Sequence, residues 1–288
     1  MKAGIASIRK ELAGIYSNEE IESLIFLIFE KVKGYSRTQF LLDREENLTG
    51  EELLEMNQIV SRLKSHEPIQ YILGDTEFFG LPFYSVPGVL IPRPETEELV
   101  QWIIQENKLA EPTVLDIGTG SGCIAVSLRK NILNSTVLAC DISRICIETT
   151  RRNAELNRTD VTVFEFDILN GAPKVDFPEL DIIVSNPPYI RETEKLLIEK
   201  NVLEYEPELA LFVPDDEPLI FYTRIADFAQ VHLNDGGSLY FEINEAFGKE
   251  CVEMLRIKGF SEIKLKRDIH NKDRMIRSLL LKSGLIDR

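Results

Sequence analysis

The chain has 288 residues, enough for two domains, and its 44% hydrophobic and 28% charged residues are typical of a globular protein. No segment approaches the roughly 18 consecutive apolar residues of a membrane span, and no signal-peptide pattern is present, so we expect a cytoplasmic protein without a membrane partner. The net charge of −15 disfavours direct contact with nucleic acid, because phosphates would be repelled unless a local basic patch intervened.

The cysteines and histidines show no spacing that is typical of metal sites. The four cysteines form no C-x-x-C pair, and none of the three histidines has a partner at metal-ligand spacing. The sequence therefore predicts no metal site and no disulfide framework.

Residues 1–75 are predicted to form a small helical bundle. Residues 17–20 and 49–52 both have the form of a capping box, and each is followed by apolar residues at helical spacing. Since this region contains no nucleotide fingerprint, we expect it to act as a substrate-recognition domain. Residues 76–94 alternate aromatic residues with Gly and Pro, which predicts a hairpin that connects two domains.

Residues 95–288 alternate predicted helices and strands, a pattern that is typical of an α/β protein with a parallel, doubly wound sheet. The predicted elements are helix 95–107, strand 113–116, helix 121–131, strand 136–141, helix 143–157, strands 161–166 and 180–185, helix 217–233, strand 238–243, helix 246–258, and two closing strands near Ile263 and Ile276.

A glycine-rich loop follows the first strand of this region. Gly118, Gly120 and Gly122 alternate with Thr119 and Ser121 between the strand and the next helix. Such a loop lets a ligand approach the backbone closely and directs a helix N-terminus at it. The spacing G-x-G-x-G differs from the dinucleotide fingerprint G-x-G-x-x-G.

Acidic residues end the next two strands. Asp141 is placed to accept hydrogen bonds from ribose hydroxyls, and Asp167 could accept the exocyclic amine of an adenine that packs on Ile168. Because the carboxyl ends of parallel strands meet at one edge of the sheet, these residues predict an adenosine-containing cofactor. They do not by themselves exclude a nicotinamide cofactor.

The fourth strand ends in Asn186-Pro187-Pro188-Tyr189 at the same edge. The prolines fix two φ angles and donate no N–H, so the loop is rigid and presents carbonyl acceptors. Asn186 adds a side-chain acceptor, and Tyr189 adds a flat apolar face. Two acceptors beside an aromatic wall suit a planar –NH₂ group.

Planar nitrogens of this kind are poor nucleophiles because their lone pair is delocalised. Acceptors that hold both N–H bonds would bind the transition state more strongly as positive charge develops on the attacking nitrogen. Asn186, Pro187 and Tyr189 are therefore the predicted catalytic residues, and Pro188 completes the predicted substrate-binding loop.

The N-P-P-Y loop after the fourth strand resembles the motif of S-adenosylmethionine-dependent methyltransferases that act on amide or exocyclic ring nitrogens. Segments elsewhere are similar to the release-factor glutamine methyltransferase family (PrmC/HemK): E-P-I-Q-Y-I-L-G at 67–74, I-P-R-P-E-T-E at 91–97, Y-E-P at 205–207 and L-A-L at 209–211. The resemblance is densest between 67 and 211 and fits the order of segments over nearly the whole chain.

This resemblance implies a Rossmann-like methyltransferase sheet behind a small N-terminal helical domain. It implies transfer of a methyl group from S-adenosylmethionine, leaving S-adenosylhomocysteine, to N5 of the glutamine in the Gly-Gly-Gln motif of peptide chain release factors 1 and 2. Carried over by motif, the following residues would hold the cofactor: Gly118, Thr119, Gly120, Ser121, Gly122, Asp141, Asp167, Ile168 and Asn186. Asn186 through Tyr189 would receive the glutamine amide, and Arg93 and Glu95 would organise the wall of the site.

Two positions depart from the family pattern. Ile168 stands where an aromatic residue is common, which should preserve packing on the adenine but weaken stacking. The segment 268–274 carries Asn271-Lys272-Asp273-Arg274 where the family often has a glycine, which leaves the conformation of that loop open.

Three other functions remain open from the residues alone. An adenine- or RNA-directed methyltransferase would also hold a planar –NH₂ group, and it predicts a basic patch. A second alternative methylates a glutamine of a ribosomal protein. A third is a non-catalytic scaffold that binds the cofactor. The sequence does not determine the oligomeric state.

Overall fold

The structure is a computed structural model that describes residues 2–42, 47–170 and 177–282. The chain divides into two compact units, one formed by residues 1–75 with 199–205 and the other by residues 76–198 with 206–288. The sequence prediction assigned 199–205 to the second domain, whereas in the structure this segment groups with the first unit.

The first unit is helical. Its elements are α1 (Lys2–Leu12), α2 (Asn18–Lys33), α3 (Arg37–Leu42), α4 (Gly50–Leu63), α5 (Ile69–Leu73) and the later helix α9 (Lys200–Tyr205). Both predicted capping boxes are confirmed, since the Ser17 and Thr49 side chains each accept from the backbone N–H of the glutamate three residues on, and the backbone N–H of each donates to the side chain of that glutamate. Apolar side chains of α1, α2, α4 and α5 form one buried core around residues such as Leu12, Ile25 and Leu63.

The second unit contains a small hairpin, a seven-stranded sheet and the helices that cover it. Its remaining elements are β1 (Asp75–Phe78), β2 (Leu81–Tyr84), α6 (Pro94–Glu106), β3 (Thr113–Ile117), α7 (Cys123–Asn131), β4 (Thr136–Asp141), α8 (Arg144–Leu156), β5 (Val161–Glu165), β6 (Leu180–Ser185), β7 (Ile190–Arg191), a 3₁₀ helix (Glu192–Leu197), α10 (Glu208–Leu211), β8 (Phe212–Val213), α11 (Ile220–His232), β9 (Leu233–Glu242), a second 3₁₀ helix (Glu245–Phe247), α12 (Gly248–Ile257), β10 (Phe260–Arg267) and β11 (Asp273–Leu280).

The order of the strands in the sheet is β10-β11-β9-β6-β3-β4-β5. Strands β9, β6, β3, β4 and β5 are parallel, as predicted. The prediction of a wholly parallel sheet is wrong for the last two strands, because β11 runs antiparallel to both β9 and β10. The reason is the short loop between β10 and β11, since parallel neighbours need a crossover of a dozen or more residues.

Strand β9 begins earlier than predicted. The sequence predicted a strand over 238–243, whereas β9 spans Leu233–Glu242. In the structure the pairing with β6 skips residues 234–237, passing from Leu233 to Ser238 as a register shift. The regular part of the strand therefore begins where the sequence predicted it.

Two buried apolar layers cover the faces of the sheet. One contains side chains of α6, α7 and α8, and the other contains side chains of α11 and α12. The chain builds β3, β4 and β5 outward in one direction and then returns to place β6 on the other side of β3. Ligands of such sheets bind at this reversal, outside the carboxyl ends of the strands. Within the described parts of the chain, no helix is long and apolar enough to cross a membrane.

Candidate active site

A cavity of about 340 Å³ lies at the carboxyl ends of the central strands, wholly within the second unit. Its volume falls in the range of about 300 to 1,000 Å³ that is usual for small-molecule sites. Eleven of the fourteen residues predicted for the site line it: Arg93, Gly118, Thr119, Gly120, Ser121, Asp141, Asp167, Ile168, Asn186, Pro187 and Pro188. The other three, Glu95, Gly122 and Tyr189, lie outside its walls.

The glycine loop has a backbone that other residues adopt only with strain. Gly118, Gly120 and Gly122 have φ of 72°, 58° and 81°. A Cβ on Gly122 would lie 2.7 Å from Cγ2 of Thr150, so this glycine permits close packing of the loop on α8. A Cβ on Gly118 or Gly120 would meet no atom within 4 Å, so the loop leaves an open cradle on that side.

Asp141 is fixed at the edge of this cradle by two backbone groups. Its Oδ2 accepts from the Gly120 N–H at 2.9 Å, and its Oδ1 accepts from the Ser143 N–H at 2.9 Å. Burial raises the pKa of the Asp141 carboxyl, and the backbone hydrogen bonds oppose that rise. Asp141 also lines the cavity, where its carboxylate can accept from a ribose hydroxyl.

Asp167 and Ile168 follow β5 on the same side of the cavity. Asp167 accepts from the Leu169 N–H at 2.9 Å and from the Asn170 side chain at 3.0 Å, which holds its carboxylate in a tight turn. Ile168 lines the cavity and packs on the second apolar layer. An open glycine cradle, an anchored acid and an apolar side chain in one cavity fit the adenosine-containing cofactor that the sequence predicts.

The N-P-P-Y loop borders the cavity from β6. The Asn186 amide nitrogen donates to the Thr96 hydroxyl at 3.2 Å, so its carbonyl oxygen is the end that is left to accept from a ligand. Tyr189 differs from the prediction of an aromatic wall, because its ring packs on the second apolar layer. Its hydroxyl donates to Glu242 Oε1 at 3.2 Å, and burial raises the pKa of Tyr189, so the phenol stays protonated.

Arg93 and Glu95 are placed differently from each other. Arg93 lines the cavity and donates to Glu206 Oε1 at 2.5 Å, and Glu206 also accepts from the Ile91 N–H at 3.2 Å. Glu95 lies outside the cavity, with its carboxylate 3.7 Å from His270. The structure therefore brings Arg93, but not Glu95, to the wall of the site.

Sequence reasoning missed four polar residues at the site, of which Thr96 lines the cavity and the other three lie behind its walls. They are Thr96, Asp116, Glu206 and Glu242, all of them buried. Asp116 accepts from the Thr119 hydroxyl at 2.6 Å beneath the glycine loop, and burial raises its pKa to about 7. The available signal for Glu242 was its position, since it is an acid at the end of the strand beside β6.

The loop between β10 and β11, whose conformation the sequence left open, forms a turn that contains no glycine. Asn271 adopts φ of 62°, the left-handed conformation that a glycine would favour. Asp268 accepts from the backbone of His270 and Lys272 and from the Arg274 side chain, which fixes the turn without a glycine.

Among the described residues, no group of three or more His, Cys, Asp or Glu side chains is arranged to hold a metal ion. The four cysteines are buried free thiols.

The fold and the cavity define a class of protein. Residues 95–207 match the family described as "Methyltransferase small domain", and the protein is an S-adenosylmethionine-dependent methyltransferase with a Rossmann-like sheet. Residues 5–74 match the family described as "PrmC N-terminal domain". The chain belongs to the release factor glutamine methyltransferase family.

Curated relatives cover nearly the full length of the chain. A release factor glutamine methyltransferase of Flavobacterium psychrophilum is 50% identical over 92% of this chain and 94% of its own. One from Bacteroides thetaiotaomicron is 45% identical over 94% of this chain and 97% of its own. A crystal structure of a methyltransferase from Pyrococcus furiosus superimposes with a TM-score of 0.51 at 19% identity, covering 81% of this chain and all of that one, which supports the fold alone.

Proposed function

We propose that this protein methylates N5 of the glutamine in the Gly-Gly-Gln motif of peptide chain release factors 1 and 2. The observation that carries the proposal is the position of Asn186, an amide acceptor in the same cavity as the glycine loop and Asp141. The curated relatives are release factor glutamine methyltransferases, which supports release factors as the substrate class.

Residues at the carboxyl ends of β3, β4 and β5 would hold S-adenosylmethionine. The loop 118–122 would take the methionine part, Asp141 would accept from the ribose hydroxyls, and Asp167 and Ile168 would flank the adenine. When bound, S-adenosylmethionine supplies an electrophilic methyl group.

Residues of the N-P-P-Y loop would hold the acceptor. Asn186 Oδ1 and the backbone carbonyl of Pro187 would accept the two N–H bonds of the glutamine amide, which removes the freedom of the nitrogen to rotate away. As positive charge develops on that nitrogen, these acceptors stabilise it more than they stabilise the ground state. Because they lie in the same cavity as the cofactor-binding residues, these acceptors would also hold the amide nitrogen close to the methyl group.

The lining of the cavity favours a protein substrate over a nucleic acid. Arg93 is the one basic residue among the described residues that line it, and its guanidinium is paired with Glu206. An adenine- or RNA-directed enzyme would need unpaired cations along the path of the phosphates. The net charge of −15 adds repulsion at longer range.

Mass spectrometry of acceptors incubated with S-adenosylmethionine tests this proposal. The acceptors are a purified release factor, its Gly-Gly-Ala version, ribosomal proteins, and duplex DNA and RNA. We expect one added methyl group on the release factor and none on the Gly-Gly-Ala version. A methylated nucleic acid or ribosomal protein beside an unmodified release factor would refute the proposal and identify the alternative.

We propose further that the helical unit recognises the release factor at a surface away from the acceptor glutamine. Leu42 and Leu54 support this role, since they are 75% and 62% exposed on that unit and contribute little to its core. Replacing both with Ser should raise KM for the intact release factor about tenfold, since buried interface leucines contribute on that scale.

Two controls separate recognition from chemistry. Leu133 on the second unit is 75% exposed, and Leu133→Ser should leave KM for the intact release factor unchanged. A short Gly-Gly-Gln peptide should be methylated equally by all variants. An unchanged KM in the Leu42→Ser, Leu54→Ser double variant would argue against recognition through these leucines.

A further inference from the structure

Two buried side chains are linked to Asn186 by hydrogen bonds, and one of them, Thr96, also lines the cavity. Thr96 is in the first turn of α6, and Glu242 is the last residue of β9, the strand beside β6. Each is 2% exposed. The Thr96 hydroxyl donates to Glu242 Oε2 at 2.6 Å, and it accepts from the Asn186 amide nitrogen at 3.2 Å. The three side chains form a chain of hydrogen bonds that ends at the cavity.

The single hydroxyl hydrogen of Thr96 determines which end of the Asn186 amide faces the cavity. A threonine hydroxyl carries one hydrogen, and here that hydrogen is donated to Glu242. The hydroxyl oxygen can then only accept, so Asn186 must present its nitrogen to Thr96. Because the two ends of an amide have nearly the same shape, packing alone would not favour one orientation over the other.

Glu242 is suited to act as the acceptor at the start of this series of hydrogen bonds. Its second oxygen, Oε1, accepts from the Tyr189 hydroxyl at 3.2 Å. Burial raises the pKa of Glu242, while the hydrogen bond from Thr96 and the positive charge of Arg274 oppose that rise. Each carboxyl oxygen of Glu242 thus accepts from one neutral hydroxyl.

Glu242 also connects the two ends of the N-P-P-Y loop. It reaches Asn186 through Thr96 and it contacts Tyr189 directly. Asn244, two residues further on, donates to the Tyr189 carbonyl at 3.0 Å. The end of β9 and the residues that follow it thus fix both the first and the last residue of the loop.

We propose that Thr96 and Glu242 are positioning residues that hold the Asn186 carbonyl oxygen toward the acceptor nitrogen, an inference that rests on the proposed amide methylation. Neither side chain needs to touch the acceptor. Without the relay, the amide can turn by half a rotation and direct its own N–H bonds at the N–H bonds of the substrate, which abolishes acceptance at that position.

Paired substitutions at Thr96 test the relay. Thr96→Val removes the hydroxyl at nearly constant shape, whereas Thr96→Ser keeps it. We expect Thr96→Val to lower kcat by about tenfold to a hundredfold, on the scale of losing one transition-state hydrogen bond. The affinity for S-adenosylmethionine and KM for the release factor should change less than about twofold, because contacts elsewhere dominate them. Thr96→Ser should recover most of kcat.

Substitution of Glu242 by Gln tests the start of the relay. The amide of the new side chain can donate to the Thr96 hydroxyl, which releases the hydroxyl hydrogen to approach the Asn186 oxygen. We expect kcat to fall in Glu242→Gln as it does in Thr96→Val, again with little change in cofactor affinity. Thermal melting of each variant identifies loss of folding.

A readout without catalysis separates this inference from the proposed function. In spectra of protein with ¹⁵N-labelled asparagine, the side-chain amide signal of Asn186, assigned by its loss in Asn186→Asp, should be shifted and slow to exchange in wild type and Thr96→Ser. It should resemble a free amide in Thr96→Val.

The two failures then look different. A wild-type protein that leaves the release factor glutamine unmodified refutes the proposed function, while the amide spectra still decide the orientation. An active wild type with unchanged kcat in Thr96→Val, or with an Asn186 signal that is the same in all variants, overturns the relay.

Discussion

The two ends of the cavity are built in different ways. The cofactor end depends on one short stretch, 117–122, whose three glycines adopt positive φ and whose backbone is tied to Asp141. The acceptor end depends on side chains from three distant stretches, with Thr96, Asn186 and Glu242 meeting at hydrogen-bond distance. The first end is defined by local backbone conformation, and the second is defined by tertiary pairing of side chains.

This difference determines which substitutions each end of the cavity should tolerate. At the cofactor end a new Cβ should do the most damage, since the requirement is on backbone and space. At the acceptor end, removal of a single polar atom should do the most damage, since the geometry depends on each donor and acceptor. Substitutions of both kinds can break or sharpen this contrast.

The largest effect is expected from Asn186→Ala. This change removes the amide acceptor and should lower kcat for release-factor methylation by about a hundredfold or more. Binding of S-adenosylmethionine should be largely retained because the loop 118–122 and Asp141 are unchanged, and calorimetric titration measures it. Normal turnover in this variant would contradict the role given to the acceptor end.

The next effect is expected from Gly122→Ala, with Gly120→Ala as its matched control. Both glycines have positive φ, but only a Cβ on Gly122 would meet Thr150 at 2.7 Å. Steric overlap in addition to backbone strain should lower the free energy of unfolding by about 3 kcal/mol in Gly122→Ala, against about 1 kcal/mol in Gly120→Ala.

Denaturant titration of the ligand-free variants measures this difference. Equal losses at the two positions would mean that backbone strain alone governs the loop and that its packing on α8 is unimportant.

A smaller effect is expected from Asp116→Asn, and it depends on pH. Burial raises the pKa of Asp116 to about 7, so between the ordinary range of aspartate and pH 7 the folded protein holds a proton that the unfolded chain releases. The stability of the wild type should therefore fall as pH rises through this window. Asparagine does not titrate, so the variant should lack this part of the decline.

Between pH 5 and pH 8, the free energy of unfolding of Asp116→Asn should rise by about 2 kcal/mol relative to that of the wild type, because the raised pKa of Asp116 lies in that range. Unfolding measured at both pH values checks the sign. Parallel pH dependence in the two proteins would show that Asp116 ionises at its ordinary pKa. A confirmed effect would show that burial outweighs the hydrogen bond from Thr119 in setting the pKa of Asp116.

The contrast also explains what the sequence could predict. The α/β fold, its elements and the cluster of Gly118, Asp141 and Asn186 follow from local patterns, because strand ends of a parallel sheet must meet at one edge. The hydrogen bonds of Thr96 and Glu242 could not be predicted, since Thr96 within the segment 91–97 and an acid at a strand end do not reveal that the two side chains meet. The partner of Tyr189 and the antiparallel direction of β11 depend on tertiary packing in the same way.

The segment 199–205 has a consequence for how the protein is made. This segment belongs to the helical unit, where the Tyr205 hydroxyl donates to the Ser65 carbonyl at 2.6 Å, yet it lies about 120 residues after the rest of that unit. At a synthesis rate of about 5 to 20 residues per second, it leaves the ribosome on the order of ten seconds after residue 75. The unit at the N-terminus therefore receives its last helix late in translation, after four strands of the neighbouring sheet have been synthesised.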